Sequence, residues 1–174
     1  MKHLRSLLPL LLALLFVSVS CLDDRDARLW RSGNEDFMEA LKDSSNVYPV
    51  EIRDSLISAE RGAEYQPSAP SGIYFKEIQK GSGVVPLLGQ TVTVKYSGWL
   101  YDDTAFDDGL ITFELGTTTI DGFTVTVQRM HVGDIWEVYI PYYLGYGQNT
   151  YYYSTPNIPG YSTLIFRMEL KSVS

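Results

Sequence analysis

Several stretches of the chain alternate apolar and polar side chains with a period of two, and this constrains the fold more than any other feature. Ile135–Ile140 sets Trp136, Val138 and Ile140 against Ile135, Glu137 and Tyr139. Thr163–Leu170 sets Leu164, Phe166, Met168 and Leu170 against Thr163, Ile165, Arg167 and Glu169. Thr91–Leu100 does the same with Val92, Val94 and Tyr96 on one face. Ile73–Ile78, followed by the turn Lys80–Gly83, and Ile111–Leu115, followed by Gly116, read as two further strands. Alternation of this kind predicts antiparallel strands with one buried face, which a helix or a second sheet must cover. The one segment available as a covering helix is Gly122–Met130, and its pattern is ambiguous. Phe123, Val127 and Met130 fall on one helical face, yet Phe123, Val125 and Val127 also alternate, and the β-branched run favours a strand. Periodicity leaves this segment undecided.

Val94–Asp108 carries most of the functional information. It begins as a strand, is broken by the turn Asp102-Asp103-Thr104, and resumes with Phe106-Asp107, an aromatic ring beside a carboxylate. One strand and one turn would thus bring Tyr96, Phe106 and Asp107 together as a small apolar pocket with a single charge. On pattern alone, Tyr96, Phe113 and Phe166 read as core residues, and Asp107 can be a turn residue like Asp102, Asp103 and Asp108. The 13 tyrosines of the chain suit a surface or pocket built from rings with polar tips.

Residues 1–20 have the layout of a secretory signal peptide: Lys2 and Arg5, an apolar run from Leu7 to Val17, then small residues before Cys21. Cys21 is the only cysteine and stands where a bacterial lipoprotein carries its lipid, although Ser18 occupies a position usually aliphatic. We expect lipidation at Cys21 and a membrane anchor without a spanning helix; the alternative is an ordinary signal peptide with a chance cysteine. Leu22–Asp26 is an acidic tether, resembling the acidic surface-export signals of some Gram-negative lipoproteins or simply a solvated linker. Ala27–Asp43 has helical spacing, weakened at Gly33, with Asn34 as a candidate cap and Phe37, Met38 and Leu41 as its apolar stripe. Such a helix packs on the domain that follows or dimerises. Val50–Ile57 reads as either helix or strand, and Gln66–Gly72 is a linker by composition. The expected organisation is residues 1–20 signal peptide, 21–71 tether, helix and linker, and 72–174 one domain.

A net charge of −7, which becomes −9 when residues 1–20 are removed, argues against nucleic acid as a partner. One cysteine and two histidines exclude a disulfide framework and supply poorly both a Cys/His zinc site and a nucleophile–base pair.

Gly72–Leu170 resembles the FKBP-type peptidyl-prolyl isomerases, the macrolide-binding immunophilins. The resemblance rests on Val94-Lys95-Tyr96-Ser97-Gly98-Trp99-Leu100, Phe106-Asp107, Phe113-Glu114-Leu115-Gly116 and Ile120-Asp121-Gly122-Phe123. It continues in Met130-His131-Val132-Gly133, Ile140-Pro141-Tyr142-Tyr143-Leu144-Gly145-Tyr146-Gly147 and Ile158-Pro159, then Ser162–Phe166. It implies an α+β fold, a bent antiparallel β-sheet wrapped around one short α-helix, here with an N-terminal helical extension. It makes Gly122–Met130 that helix. It also implies cis–trans isomerisation of X-Pro bonds in exported proteins, with no cofactor or metal. The implied partners are proline-containing peptide segments and rapamycin-type macrolides. Carried over by position, Asp107, Tyr146 and Phe106 are the catalytic group, and Tyr96, Phe113, Ile120, Phe123, Ile158 and Phe166 bind substrate. Phe123 is the floor, where the family usually has Trp; Ile120 offers a backbone N–H and Tyr146 a hydroxyl to substrate carbonyls. The chain departs from the family pattern in a short Asp108–Ile111 segment, in a residue missing between Gly116 and Ile120, and in the aromatic stretch Asn149–Pro156 that overhangs the pocket. The alternative function is a proline-segment binding or chaperone module with little turnover, which the tyrosines at 151–153 favour.

Overall fold

The computed structural model describes residues 24–50, 71–117 and 119–174. The signal peptide, Cys21, most of the Val50–Ile57 segment and most of the Gln66–Gly72 linker lie outside the described residues.

Among the described residues six strands form one antiparallel sheet: β1 (Tyr48–Pro49), β2 (Tyr74–Gln79), β3 (Thr91–Leu100), β4 (Ala105–Glu114), β5 (Ile135–Ile140) and β6 (Leu164–Val173), in the spatial order β1-β2-β5-β6-β3-β4. The period-two pattern sets which side chains face inward. Val92, Val94 and Leu100 of β3, Val138 and Ile140 of β5, and Leu164, Met168 and Leu170 of β6 all face one core and are buried. The β4 strand is longer than the expected Ile111–Leu115. Residues 105–110, expected as a turn exit and a short loop, pair instead with Lys95–Trp99. Their own side chains carry no alternation, and the free edge of the long strand β3 organises them. Residues ahead of Gly72 also enter the sheet, because Tyr48 and Pro49 pair with Phe75 and Tyr74.

The segment that periodicity leaves open and the resemblance makes a helix is helical, as α2 (Asp121–Val127), and shorter than Gly122–Met130. Its end tightens into three-residue turns, with the Arg129 and Met130 amides donating to Thr126 and Val127. Gly122, Phe123, Val125, Thr126 and Val127 are all buried, so α2 is enclosed by the sheet and needs apolar residues almost all round. That explains why its sequence mimics a strand. The Thr126 hydroxyl donates to the Gly122 carbonyl at 2.7 Å. Gly122 is where α2 approaches β5, since a Cβ there would lie 2.3 Å from Ile140 Cγ2.

A second helix, α1, runs over residues 24–42. It crosses the other face of the sheet: Phe37 packs on Tyr139, the β5 neighbour of the core residues Val138 and Ile140, and Trp30 meets Tyr101 edge-on at 4.8 Å. Of the two roles open to the sequence, the chain uses this helix to pack on its own domain. Asn34 is not a cap. It lies in mid-helix, 2% exposed, with its side chain turned onto the domain. Leu29 is 60% exposed and off the buried stripe.

Gly122→Ala is expected to lower stability by about 1–3 kcal/mol through overpacking against Ile140. Urea denaturation of the two proteins measures it; an unchanged midpoint would mean that α2 is not seated this closely.

Candidate active site

The site begins with an irregularity in the β3–β4 ladder. Gly98 pairs with Asp107, but Trp99 pairs with Ala105, leaving Phe106 as the extra residue of a bulge. A bulge breaks the two-residue alternation, so consecutive side chains can serve the same face. Phe106 enters the core, 6% exposed, while Asp107 stands beside it and accepts a hydrogen bond from the Tyr96 hydroxyl at 2.9 Å.

Tyr96 and Asp107 border a cavity of about 210 Å³. Phe123 from α2 and Phe166 from β6 line it, with Ile111 from β4 and Thr119 and Ile120 ahead of α2; Tyr146 and Tyr151 close the remaining side. The aromatic rings are locked edge to face. Phe123 meets Phe166 at 5.1 Å and 89°, and Tyr96 meets Phe123 at 5.7 Å and 90°. Tyr146 stacks on Tyr151 at 4.1 Å and 19°, and two backbone hydrogen bonds with Ile158 pin Tyr151.

Six of the nine residues expected at the site therefore line one cavity: Tyr96, Asp107, Ile120, Phe123, Tyr146 and Phe166. The other three stand behind it. Phe106 packs edge-on against Phe166 at 5.4 Å, Phe113 leans on Phe123 at 6.4 Å, and Ile158 holds Tyr151. Ile111, Thr119 and Tyr151 line the cavity and were not anticipated as site residues. The aromatic run 151–153 was a signal for Tyr151; an ordinary strand apolar such as Ile111 carries none.

Burial raises the Tyr96 phenol to about 12, with the Asp107 hydrogen bond and charge adding to it. Burial likewise raises Tyr146 to about 12, helped by Tyr151 and Asp107. Both hydroxyls are therefore neutral hydrogen-bond donors at physiological pH. Among the described residues the lining holds one carboxylate and no cationic side chain. Among the described residues no group of three His, Cys, Asp or Glu side chains is placed to hold a metal ion. The arrangement can enclose a small apolar ring and offer donors to carbonyl oxygens at its rim.

Residues 84–171 match the model of a family described as FKBP-type peptidyl-prolyl cis-trans isomerase. The chain is 37% identical over 125 residues to the outer membrane protein MIP of Legionella longbeachae, covering 69% of this chain and 52% of that protein. It is 34% identical over 110 residues to the FKBP-type 22 kDa peptidyl-prolyl cis-trans isomerase of Escherichia coli, covering 61% and 52%. The chain thus spans about half the length of these curated relatives. A solved peptidyl-prolyl cis-trans isomerase of Pseudomonas syringae superposes with a TM-score of 0.66 at 27% identity, covering 84% of this chain and 95% of that one. FkpA of Escherichia coli shares the fold, with a TM-score of 0.66 at 24% identity over 99% of this chain and 72% of that one.

A phenol raised by the fold ionises in the unfolded chain first, so folding stability is full below pH 10 and falls as pH rises from about 10 through about 12. Tyr96→Phe is expected to flatten that fall, read as denaturant midpoints between pH 9 and pH 12 (roughly the phenol range). An identical profile would mean that the fold does not hold the Tyr96 phenol above its ordinary range.

Proposed function

The chain belongs to the FKBP-type peptidyl-prolyl cis-trans isomerase family, and on that premise we propose that it catalyses cis–trans isomerisation of X-Pro bonds in proteins folding outside the cytoplasm. The observation that carries this reading is the Tyr96–Asp107 hydrogen bond at the edge of an aromatic cavity with no other charge.

Rotation about the amide meets a barrier of ~18–20 kcal/mol because conjugation is lost in the twisted state. No bond between heavy atoms is made or broken, so neither nucleophile nor cofactor is needed. The site has only to bind the twisted amide better than the planar one. A twisted amide carries less charge on oxygen, and a dry apolar cavity penalises the planar form more. In this reading Phe123 is the floor for the pyrrolidine ring, with Tyr96 and Phe166 as its walls. The Ile120 N–H and the Tyr146 hydroxyl hold substrate carbonyls. Asp107 orders the Tyr96 hydroxyl and sets the polarity near the reacting carbonyl; no proton transfer is assigned to it. Phe106, Phe113 and Ile158 hold the lining in place. Rapamycin-type macrolides would compete for the same cavity.

The proposed organisation is a signal peptide over residues 1–20, a lipid on Cys21, a tethering segment to residue 71 and an isomerase domain over 72–174. Support for an envelope location comes from the sequence of residues 1–21 and from the relative named as an outer membrane protein. Among the described residues no helix is long and apolar enough to cross a membrane. A second reading, a module that grips proline segments with little turnover, is favoured by Tyr152 and Tyr153, 71% and 89% exposed beside the cavity.

The parent protein is expected to accelerate isomerisation of a short X-Pro peptide and to lose that activity to a rapamycin-type ligand. Ligand binding with background isomerisation would establish the second reading instead. Asp107→Ala and Phe123→Ala should each lower kcat/KM about tenfold or more, equivalent to about 1.4 kcal/mol of transition-state stabilisation. Full activity in both would mean that the site lies elsewhere. Cys21→Ser should move the protein out of the membrane fraction, and unchanged fractionation would count against the anchor.

A further inference from the structure

Helix α1 lies outside residues 84–171, yet it grips the segment that supplies one side of the cavity. Asn34, buried in mid-helix, donates through Nδ2 to the Trp30 carbonyl at 2.9 Å and accepts through Oδ1 from the Thr163 amide at 2.6 Å. One turn earlier the Trp30 indole donates to the Ser162 hydroxyl at 3.2 Å, and that hydroxyl donates to the Pro159 carbonyl at 2.7 Å. The Arg31 guanidinium lies over the Tyr161 ring at 4.4 Å. Three successive residues, Tyr161, Ser162 and Thr163, are thus held from one helix.

Tyr161 shows why the grip matters. Its φ of 62° is left-handed, a conformation that a bulky residue keeps only when its surroundings dictate it. From the other side its amide donates to the Gly147 carbonyl at 3.0 Å, and its hydroxyl donates to Gln148 Oε1 at 3.2 Å. Gly147 follows Tyr146, and the loop from Gly147 returns through the Tyr151–Ile158 pair. Beyond Thr163 the chain enters β6 and reaches Phe166 within three residues. The segment clamped by α1 is therefore bonded to Gly147 and Gln148 of the loop that carries Tyr146 and Tyr151, and leads along the chain to Phe166; these three rings line the cavity.

We propose that α1 is a positioning element of the cavity and that Asn34 is the positioning residue through which it acts, fixing residues 161–163 and so the placement of the stacked Tyr146–Tyr151 wall. The catalytic consequence rests on the isomerase reading of the cavity. Asn34 does not line the cavity; it sets the geometry in which Tyr146 and Tyr151 meet a peptide. A wall that binds planar and twisted amides alike affects KM more than kcat when it is displaced.

The test uses the full chain with Asn34→Leu, close in shape but without the amide, and Arg31→Ala, an exposed change that leaves the core intact. Amide hydrogen exchange at Tyr151 and Ile158 is expected to quicken about tenfold in Asn34→Leu, the effect of one lost buried hydrogen bond. KM for the X-Pro peptide should rise on the same order with kcat nearly unchanged. Arg31→Ala should move both readouts the same way by less. Folded variants with parental exchange at Tyr151 and parental KM would overturn the proposal, as would a drop in melting temperature alone. A parent protein without isomerase activity would overturn the isomerase reading, and the exchange readout would still decide whether α1 sets the loop.

Discussion

The structure depends on how Phe166 is seated on the central strand β6. Its ring meets three others edge-on, Phe123 at 5.1 Å, Phe106 at 5.4 Å and Tyr96 at 6.1 Å, one from α2 and two from β3 and β4. Edge-to-face pairs of this kind contribute about 0.5–1.5 kcal/mol each beyond the area that they bury. The cluster requires Gly98, because a Cβ there would lie 2.8 Å from both the Phe106 and the Phe166 ring. A glycine in the middle of a strand normally weakens it. Here it gives two rings room to meet, and the same rings form the back of the cavity.

The bulge at Phe106 solves a conflict between core and site. The core needs an aromatic ring from β4 and the cavity needs a carboxylate from the same strand end. Strict alternation would place two consecutive side chains on opposite faces. With one extra residue, Phe106 packs inward and Asp107 meets Tyr96 on the same side. Burial of Tyr96 and Tyr146 then keeps both phenols protonated. A cavity so equipped offers apolar rings and neutral donors and lacks a ready proton carrier, which suits the isomerisation proposed for it.

The far face of the sheet matters as well. Tyr139 occupies the outward register of β5 yet is only 7% exposed, because α1 covers it with Phe37. Burial and the hydrogen bond to Glu137 push its phenol well up. A sheet that already has one helix on its inner face thus gains a second on its outer face. The second helix reaches residues 161–163, which lead from the tyrosine loop into β6.

The sequence by itself determined the antiparallel sheet, because the alternation in β3, β5 and β6 gives each strand one apolar face to bury. It also determined the aromatic, singly charged character of the cavity, since the family's residues arrive in order along one chain. The tertiary structure decided the rest. The ends of α2 follow from its packing, because a segment buried almost all round carries too little polar contrast to mark where a helix starts and stops. Phe106 lies behind the cavity and Asp107 on it because a bulge, which has no pattern of its own in sequence, shifts their faces. Ile111 and Tyr151 join the lining because strand pairing and the Tyr151–Ile158 bridge bring them there. Asn34 reads as a helix cap locally and instead bonds Thr163, 129 residues away, a partner that only the packing of α1 on the sheet can supply.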